Sequence, residues 1–342
     1  MRQRCSWHLT ITRLVPSVPG GRWLCAIAIF LVLMSAFWAC GVFDPHVPDR
    51  QSGSAGAALF FSVVLAYTIP VLHYISARTC DAIAALVPSL EAGTAGLAGL
   101  QRRVWHKPRA WFLWVLGIGL ASGLAHNLLL FGSASELAHG FIRYPYVAAV
   151  VVGTWLTWIL ITLALAALLD NARLMAQLGR ATRIDLLQPH RLRPIGTVAV
   201  LSTLMVVGAM AAFPVMFLDR ELSAMAYVPG LIAMAIPMFL LAALPVWPAH
   251  RRLSRAKADA ITELNQRIDA VVAGAGSPPA MMADDEALAT LAPLLTYRQE
   301  LMQMSEWPVD LGVVTRLGFY LVIPPLTWVG AALIEKLLDT FL

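Results

Sequence analysis

Residues 146–169, YVAAVVVGTWLTWILITLALAALL, form an apolar run without a single charged side chain. A helix of about twenty such residues is long enough to cross the hydrocarbon core of a bilayer. Six further segments of this kind occur along the chain, at 23–43, 57–77, 110–131, 197–217, 228–247 and 313–334. With 342 residues, of which 59% are hydrophobic and 13% charged, the chain is typical of a polytopic membrane protein. The sequence therefore predicts an all-α fold with seven transmembrane helices.

Basic residues are concentrated in every second loop of this predicted arrangement. If the N-terminus lies in the cytoplasm, 21 of the 25 Lys and Arg residues fall on the cytoplasmic side. Loops on that side carry the excess of Lys and Arg in membrane proteins. Removing one span would reverse every later loop and abolish the asymmetry. We therefore expect the N-terminus inside and the C-terminus outside, in a cell membrane of the bacterial inner-membrane type.

This threading divides the chain into four parts. They are a cytoplasmic N-terminal segment (1–22), transmembrane helices one to six (23–247) with cytoplasmic loops at 78–109 and 170–196, a cytoplasmic helical hairpin (248–306) and the seventh transmembrane helix (307–342). The bulk between the spans lies on the cytoplasmic side, where segments 81–101 and 171–187 also have helical patterns. We expect several helices to extend from the membrane into a cytoplasmic layer.

The predicted cytoplasmic hairpin carries apolar residues at helical spacing on both of its helices, 249–272 and 284–304. They are Leu253, Ala260, Leu264, Ile268 and Val271 on the first helix and Leu288, Leu291, Leu295 and Met302 on the second. An apolar stripe on a helix in water needs a partner to cover it. We expect that partner to be the other inner loops or a second copy of the chain, so the lipid bilayer and self-association are the expected partners.

A few polar residues fall inside the predicted spans, where they are costly unless they are paired or hydrated. His73 lies near the inner end of the second span, and His126 with Asn127 lies in the outer third of the third span. A hydrogen bond between helices is the ordinary role of such residues, and a ligand or proton-relay role is the alternative. Asp170 ends the fourth span at the cytoplasmic boundary, where a hydrated or Arg-paired carboxylate is expected.

Sequence signatures of enzymes and of cofactor sites are missing from the chain. Ser122 and His126 stand four residues apart in the third span, which raises the alternative of an intramembrane serine hydrolase. The small residues around Ser122 favour close packing of two helices instead. The four cysteines have no metal-ligand spacing, and the basic residues flank apolar spans. We expect no enzymatic activity, no metal, no cofactor and no nucleic-acid partner.

The last apolar run, GFYLVIPPLTWVGAALIEKLL at 318–338, contains Pro324 and Pro325 near its centre. Each proline removes a backbone hydrogen bond, and lipid offers the freed carbonyl no replacement. Such a break is tolerated where protein or water surrounds the backbone. The seventh span is therefore expected to be central, and its carbonyls can line a conduction or binding pathway. A kink repaired by neighbouring side chains such as Thr327 is the alternative.

Seven spans, short outer loops, extended cytoplasmic helices and a last span reached through a long inner segment resemble the insect odorant and gustatory receptor superfamily. The resemblance is architectural and covers most of the chain. It implies a tetrameric, ligand-gated cation channel whose cytoplasmic helices hold the subunits together. It also implies that 306–320 lies at the cytoplasmic mouth of the channel. The residues that it would place along the pore are Thr327, Gly330, Ile334 and Glu335.

Three functions remain open at this point, besides the intramembrane hydrolase that Ser122 and His126 raise. A homo-oligomeric channel or channel-like receptor fits the broken last span and the apolar stripes. A small-solute transporter would account for prolines in spans two, five, six and seven. A non-conducting scaffold or sensor would act through its cytoplasmic helices alone.

Overall fold

The computed structural model describes residues 6–44, 55–90, 97–217, 224–274 and 285–307, together with the single residues 315 and 318. Within these residues the chain is mostly helical, as predicted. The helices are α1 (Gly21–Ala39), α2 (Ala55–Leu86), α3 (Leu97–Trp105), α4 (Arg109–Phe131), α5 (Ala134–Arg143), α6 (Pro145–Ala181), α7 (Arg193–Ala211), α8 (Ala224–Gly274) and α9 (Asp285–Gln303). Two three-residue strands, β1 (Ser6–His8) and β2 (His106–Pro108), form one antiparallel pair.

Five segments of the described chain are helical, long and apolar enough to cross a membrane. They contain α1, α2, α4, α6 and α7, and they overlap the first five predicted spans. The predicted sixth span, 228–247, lies within α8, which continues without interruption to Gly274. The predicted seventh span, 313–334, lies outside the described residues except for Thr315 and Gly318.

The α2 helix is the most buried of the five membrane-type segments. In its most apolar stretch 72% of the residues are buried, against 11% in α1. Pro70 lies inside α2 and is buried. Its ring cannot donate to the carbonyl one turn earlier, so this helix position suits a protein interior better than lipid. The serine and threonine hydroxyls of Ser62, Thr68 and Thr79 donate to carbonyls of their own helix, which leaves few free polar groups at this centre.

The helices pack around α2 in successive apolar layers. At one end Phe61 and Val64 of α2 meet Phe37 of α1 and Val150 of α6. In the middle, the buried residues include Leu72 and Ile75 of α2, Leu168 of α6, Met205 of α7 and Leu241 of α8. At the other end the core combines Ile83 and Leu86 of α2, Met175 and Leu178 of α6, Ile195 of α7 and Leu253 of α8. We call this last region the basic end, because Arg173, Arg180, Arg183, Arg193 and Arg252 lie around it.

At the basic end the helices end against one another and not in free loops. Segment 81–101 was expected to be helical. In the structure α2 covers it as far as Leu86 and α3 covers it from Leu97, while 91–96 lie outside the described residues. Segment 171–187 was also expected to be helical, and α6 covers it as far as Ala181. Thr182 pairs with Leu90 in an isolated bridge, and the Arg183 N–H donates to the Ser89 carbonyl at 2.8 Å. These bonds replace the helical ones and tie the ends of α2 and α6 together.

The N-terminal segment before α1 is built into the bundle. The Leu9 N–H donates to the Trp105 carbonyl at 2.8 Å, directly after the β1–β2 pair. Leu9 is buried against α2 and α6, and Val15 is buried against α1 and α2. A short 3₁₀ helix, Thr10–Leu14, joins these two anchor points. The N-terminal segment therefore contributes to the core as well as to the basic surface.

Candidate functional site

Asp170, predicted as a polar residue at the boundary of the fourth span, lies on α6 opposite the buried Lys107. The Lys107 Nζ is 3.2 Å from the Asp170 carboxylate, and the Arg173 guanidinium is 3.6 Å from it. The Lys107 side chain is only 6% exposed, whereas that of Asp170 is 25% exposed. The pairing of Trp7 with Lys107 across the two strands holds the lysine backbone in place. The carboxylate is thus the partner of a buried lysine, in addition to its exposed arginine.

Burial lowers the pKa of Lys107, because removing water disfavours the charged ammonium group. The neighbouring Asp170 carboxylate acts in the opposite direction and favours the ammonium form. The Lys107 Nζ also lies 5.7 Å from the centre of the Trp111 ring, which offers a further favourable contact to a cation. Asp170 therefore stabilises the charged form of Lys107 at a site where burial disfavours that form.

His73 lies on α2 between Leu72 and Ile75 of the middle layer, with its ring centre 5.5 Å from that of Trp105. Its Nδ1 atom is buried and has no hydrogen-bond partner. Next to it, Tyr74 lies between Arg22 at 4.7 Å and Arg78 at 5.3 Å from the ring centre. The structure thus places His73 beside aromatic and cationic groups, and no acidic residue contacts it in the described part of the chain.

His126 and Asn127 lie on α4 where this helix packs against α6. The His126 ring is 5.9 Å from that of Trp158, and the Asn127 Nδ2 donates to the Val151 carbonyl at 3.4 Å. Gly123 lies one turn before Asn127 and Gly119 lies two turns before it, and both glycines face α6. Because His73 and His126 contact different helices, the structure does not bring them together. Asn127 forms a hydrogen bond between α4 and α6.

Glycines make the close contact of α4 with α6, as the small residues around Ser122 suggested. A Cβ atom added to Gly119 would lie 2.8 Å from the Ile159 Cα, and one added to Gly123 would overlap the Trp155 ring. The backbones of α4 and α6 therefore approach more closely than side chains would permit. Ser122 itself is half-buried beside this contact line.

A row of polar residues on α8 holds the end of α9. His250, Ser254 and Lys257 follow one another at helical spacing on one side of α8. The Ser254 hydroxyl donates to the Glu306 carboxylate at 2.7 Å, and His250 Nδ1 lies 2.9 Å from the Glu306 carbonyl oxygen. That carbonyl can only accept, so the contact requires the proton on Nδ1. The His250 and Trp307 rings stack with centres 4.0 Å apart.

Lys257 completes this junction between α8 and the residues after α9. Its Nζ donates to the carbonyl oxygens of Met302 at 3.1 Å and Met304 at 2.9 Å, and lies 3.4 Å from the Glu306 carboxylate. A lysine at the C-terminus of a helix satisfies carbonyls that the helix leaves free. The hydrogen bond from Ser254 and the charge of Lys257 lower the pKa of Glu306. We call this set of contacts the α8–α9 clamp.

The same region of α8 also holds the end of α6. The Arg252 guanidinium donates to the carbonyl oxygens of Arg180 and, at 3.0 Å, Thr182. One α8 segment therefore fixes the last residues of two other helices. This arrangement makes the basic end a single connected layer.

The apolar stripe of the predicted hairpin divides into two faces. Leu253 and Leu264 of α8 and Leu291 and Leu301 of α9 are buried. Leu288, Leu295 and Met302 of α9 remain exposed. Arg298 of α9 donates to the Asn265 side chain of α8 at 2.9 Å, which orients the two helices. The exposed residues therefore form a second α9 face that α8 does not cover, and we call it the α9 seam.

Other predicted site residues lie outside the described part of the chain. These are the pore-lining and gating candidates Pro324, Pro325, Thr327, Gly330, Ile334 and Glu335. Among the described residues, no group of three or more His, Cys, Asp or Glu side chains could hold a metal ion.

Sequence reasoning did not single out Lys107, Ser254, Lys257 or Glu306. For the α8 residues a signal existed, since His250, Ser254 and Lys257 repeat at helical spacing beside the apolar stripe. Lys107 had no such signal, because it lies in a loop rich in arginine and its burial depends on the distant strand β1.

Comparison of the chain with protein-family models, curated proteins and solved structures found no match.

Proposed function

We propose that this protein is a homo-oligomeric, channel-like membrane protein whose subunits associate through the α9 seam. The observation that supports this proposal is the exposed line of Leu288, Leu295 and Met302 on a helix that is already paired with α8 on another face. Soluble helices normally bury their large apolar residues. An unpaired line of this kind is typical of a surface that another helix covers.

The spacing of the seam suits contact with an identical helix. Leu288, Leu295 and Met302 are separated by seven residues each, which is two helical turns. Ala292 and Gln299 are also exposed and fall between them on the same side of α9. A seven-residue repeat keeps one face toward a partner over the whole length of a short helix. Two or more copies of α9 around a common axis would bury this line.

The α8–α9 clamp supports a link between assembly and a pathway through the membrane. Glu306 and Trp307 are its last members, and the predicted seventh span, 313–334, begins six residues after Trp307. Subunits joined at α9 would bring their clamps, and hence the starts of their last spans, close to the same axis. A pathway formed by several copies of the last span is the channel that the two prolines favour.

The first experiment changes the seam and measures the mass of the particle. Leu295→Glu places charge in the centre of the seam and should convert the oligomer into monomer. Ala289→Glu is the matched control, since Ala289 is exposed about 100° around α9 from Leu288. Light scattering or native mass spectrometry of the detergent-solubilised proteins reports the change. A wild-type protein that is monomeric under all conditions would overturn the proposal.

The second experiment tests conduction. Wild-type protein in planar bilayers should show unitary currents, and Leu295→Glu should abolish them while Ala289→Glu should not. If the wild type is oligomeric but passes no current in any voltage, ion or pH condition tested, the channel function is wrong and the scaffold alternative gains support. If a cytosolic protein co-purifies in stoichiometric amount and Leu295→Glu releases it, the seam binds that partner.

A further inference from the structure

Tyr74 of α2 brings together the guanidinium groups of two arginines from different helices. The Arg22 guanidinium, in the first turn of α1, lies over the Tyr74 ring at 4.7 Å from its centre, and the Arg78 guanidinium lies 5.3 Å from the same centre. The Arg78 Nε also donates to the Tyr74 hydroxyl at 3.2 Å. Both guanidinium carbons are measured from one point, so they lie no more than about 10 Å apart, and one anion beside them interacts with both charges.

Hydrogen-bond donors around Tyr74 remain available to a ligand. A guanidinium has five N–H donors, and contact with a ring face involves its charge and not these donors. In the described part of the chain Arg22 contacts the Tyr74 ring, and no acceptor takes its N–H groups. The Tyr74 oxygen accepts from Arg78, so its own hydrogen can still be donated. The acidic partner of Arg78 is Asp81 at 3.8 Å, whose side chain is 71% exposed and therefore compensates little of the positive charge.

The two arginines lie where the apolar stretches of α1 and α2 end. Arg22 directly precedes the charge-free run 23–43, and Arg78 directly follows the charge-free run 55–77. Both arginines are exposed, Trp23 beside Arg22 is exposed, and only 11% of the most apolar stretch of α1 is buried. In a membrane protein such a helix meets lipid, and the first charged residues beyond its apolar run lie at the level of the headgroups. The donors around Tyr74 therefore face the place where lipid phosphates are found.

We propose that Arg22, Tyr74 and Arg78 bind the phosphate group of one anionic phospholipid, whose acyl chains lie along α1. Guanidinium groups form strong, charge-assisted hydrogen bonds with phosphate oxygens, and basic sites between transmembrane helices bind anionic headgroups. The positive charge also selects among lipids. Phosphatidylcholine carries a cationic choline group close to its phosphate, which the arginines repel, whereas phosphatidylglycerol carries none. The bound headgroup connects the ends of α1 and α2, and its binding is independent of the channel function.

The test compares the binding of two lipids to arginine variants. Native mass spectrometry in mild detergent measures the binding of phosphatidylglycerol and of phosphatidylcholine added as mixed micelles, and wild type should bind phosphatidylglycerol more tightly. Arg22→Gln and Arg78→Gln should each weaken phosphatidylglycerol binding by about fivefold and leave phosphatidylcholine binding unchanged. Arg102→Gln is the matched control, because Arg102 is an exposed arginine of α3 and its substitution removes the same charge. It should change the binding of neither lipid.

A further variant, Tyr74→Phe, tests the hydroxyl, because it keeps the ring and removes the O–H donor. It should weaken phosphatidylglycerol binding by about threefold. Equal binding of the two lipids by wild type would overturn the proposed selectivity. Equal losses in Arg102→Gln and Arg22→Gln would show a general attraction to basic residues and would overturn the site. Displacement of phosphatidylglycerol by inorganic phosphate at the same concentration would make free phosphate the ligand and would overturn the lipid as its occupant.

Discussion

At the scale of single residues, the two members of the Lys107–Asp170 ion pair differ in their burial and in the number of their charged partners. Asp170 has two cationic partners, Lys107 and Arg173, and is partly exposed. Among the described contacts of Lys107, Asp170 is its one acidic partner, and the lysine is almost fully enclosed. Loss of the carboxylate leaves a buried, unpaired ammonium, whereas loss of the lysine leaves a carboxylate that still faces arginine. The two residues of the pair therefore tolerate substitution differently.

We expect Asp170→Asn to lower the free energy of unfolding by about 2–4 kcal/mol, and Lys107→Met to lower it by less. The double variant Lys107→Met/Asp170→Asn should be more stable than Asp170→Asn alone, because it removes the unpaired charge. Thermal unfolding of the detergent-solubilised proteins measures all three. If Lys107→Met proves the more damaging single change, the burial assigned to the lysine is wrong.

The same pair predicts a dependence on pH. Without Asp170 the pKa of Lys107 falls further below its ordinary value of 10.5, because burial is then unopposed. Between that lowered pKa and 10.5 the unfolded chain binds more protons than the folded protein, so the stability of Asp170→Asn rises with pH in this window. The double variant, which lacks the lysine, is the control. Parallel stability curves for the two variants from pH 7 to pH 10 would contradict the prediction.

At the scale of the elements, the contact between α4 and α6 rests on the missing side chains of two glycines. Gly119→Ala would bring a methyl group against the Ile159 backbone, which cannot move aside as a flexible side chain can. Gly117 is on the same helix two residues earlier, and nothing lies within 4 Å of a Cβ added there. Gly119→Ala and Gly117→Ala therefore form a matched pair of variants that tests the close packing of α4 against α6.

We expect Gly119→Ala to lower the free energy of unfolding by about 1–3 kcal/mol, through strain and separation of the two helices. Gly117→Ala should leave it unchanged or raise it by up to about 1 kcal/mol, since alanine favours a helix more than glycine does. Thermal unfolding in detergent distinguishes the two. Equal melting temperatures for both variants would show that α4 and α6 do not approach as closely as described.

Element types were the most predictable feature from the sequence, and element ends were less so. The 146–169 run lies within α6, but the helix continues beyond it to Ala181. Hydropathy marks the part of a helix that suits lipid and carries no information on how far the helix extends past it. The end at Ala181 depends on Ser89 and Leu90 of another segment, and the end of α9 depends on Lys257. These partners are distant in the chain, so no local pattern contains them.

At the scale of the whole molecule, the charge distribution predicts opposite compartments for the two ends of the bundle. We propose that the basic end faces the cytoplasm and that seven spans place the C-terminus outside. Single cysteines at Ala289 on α9, Ala138 on α5 and Leu342 test this in a background with the native cysteines replaced. Ala138→Cys and Leu342→Cys should react with a membrane-impermeant maleimide in intact spheroplasts. Ala289→Cys should react only after the membrane is opened.

The outcome at Leu342 decides between odd and even numbers of crossings. Labelling of Ala289→Cys and Leu342→Cys on the same side would leave six spans and would exclude a pathway lined by the last apolar run. Labelling of Ala138→Cys with Ala289→Cys would overturn the proposed orientation itself. Detergent-permeabilised cells, in which all three should react, provide the control for chemical accessibility.

The sequence alone determined the helical class of this protein and the positions of the five membrane-type helices in the described residues, because hydropathy and length act locally along a chain. It also identified polar residues in or at the ends of the apolar spans, such as Asn127 and Asp170, whose burial is energetically unfavourable unless they are paired or hydrated. Only the tertiary structure decided that α2 is the most buried of the apolar helices, that Lys107 is the buried partner of Asp170, and that Leu288, Leu295 and Met302 stay uncovered. Burial and ion pairing depend on which distant segments meet, and residues far apart in sequence share no periodic pattern that reports their contact.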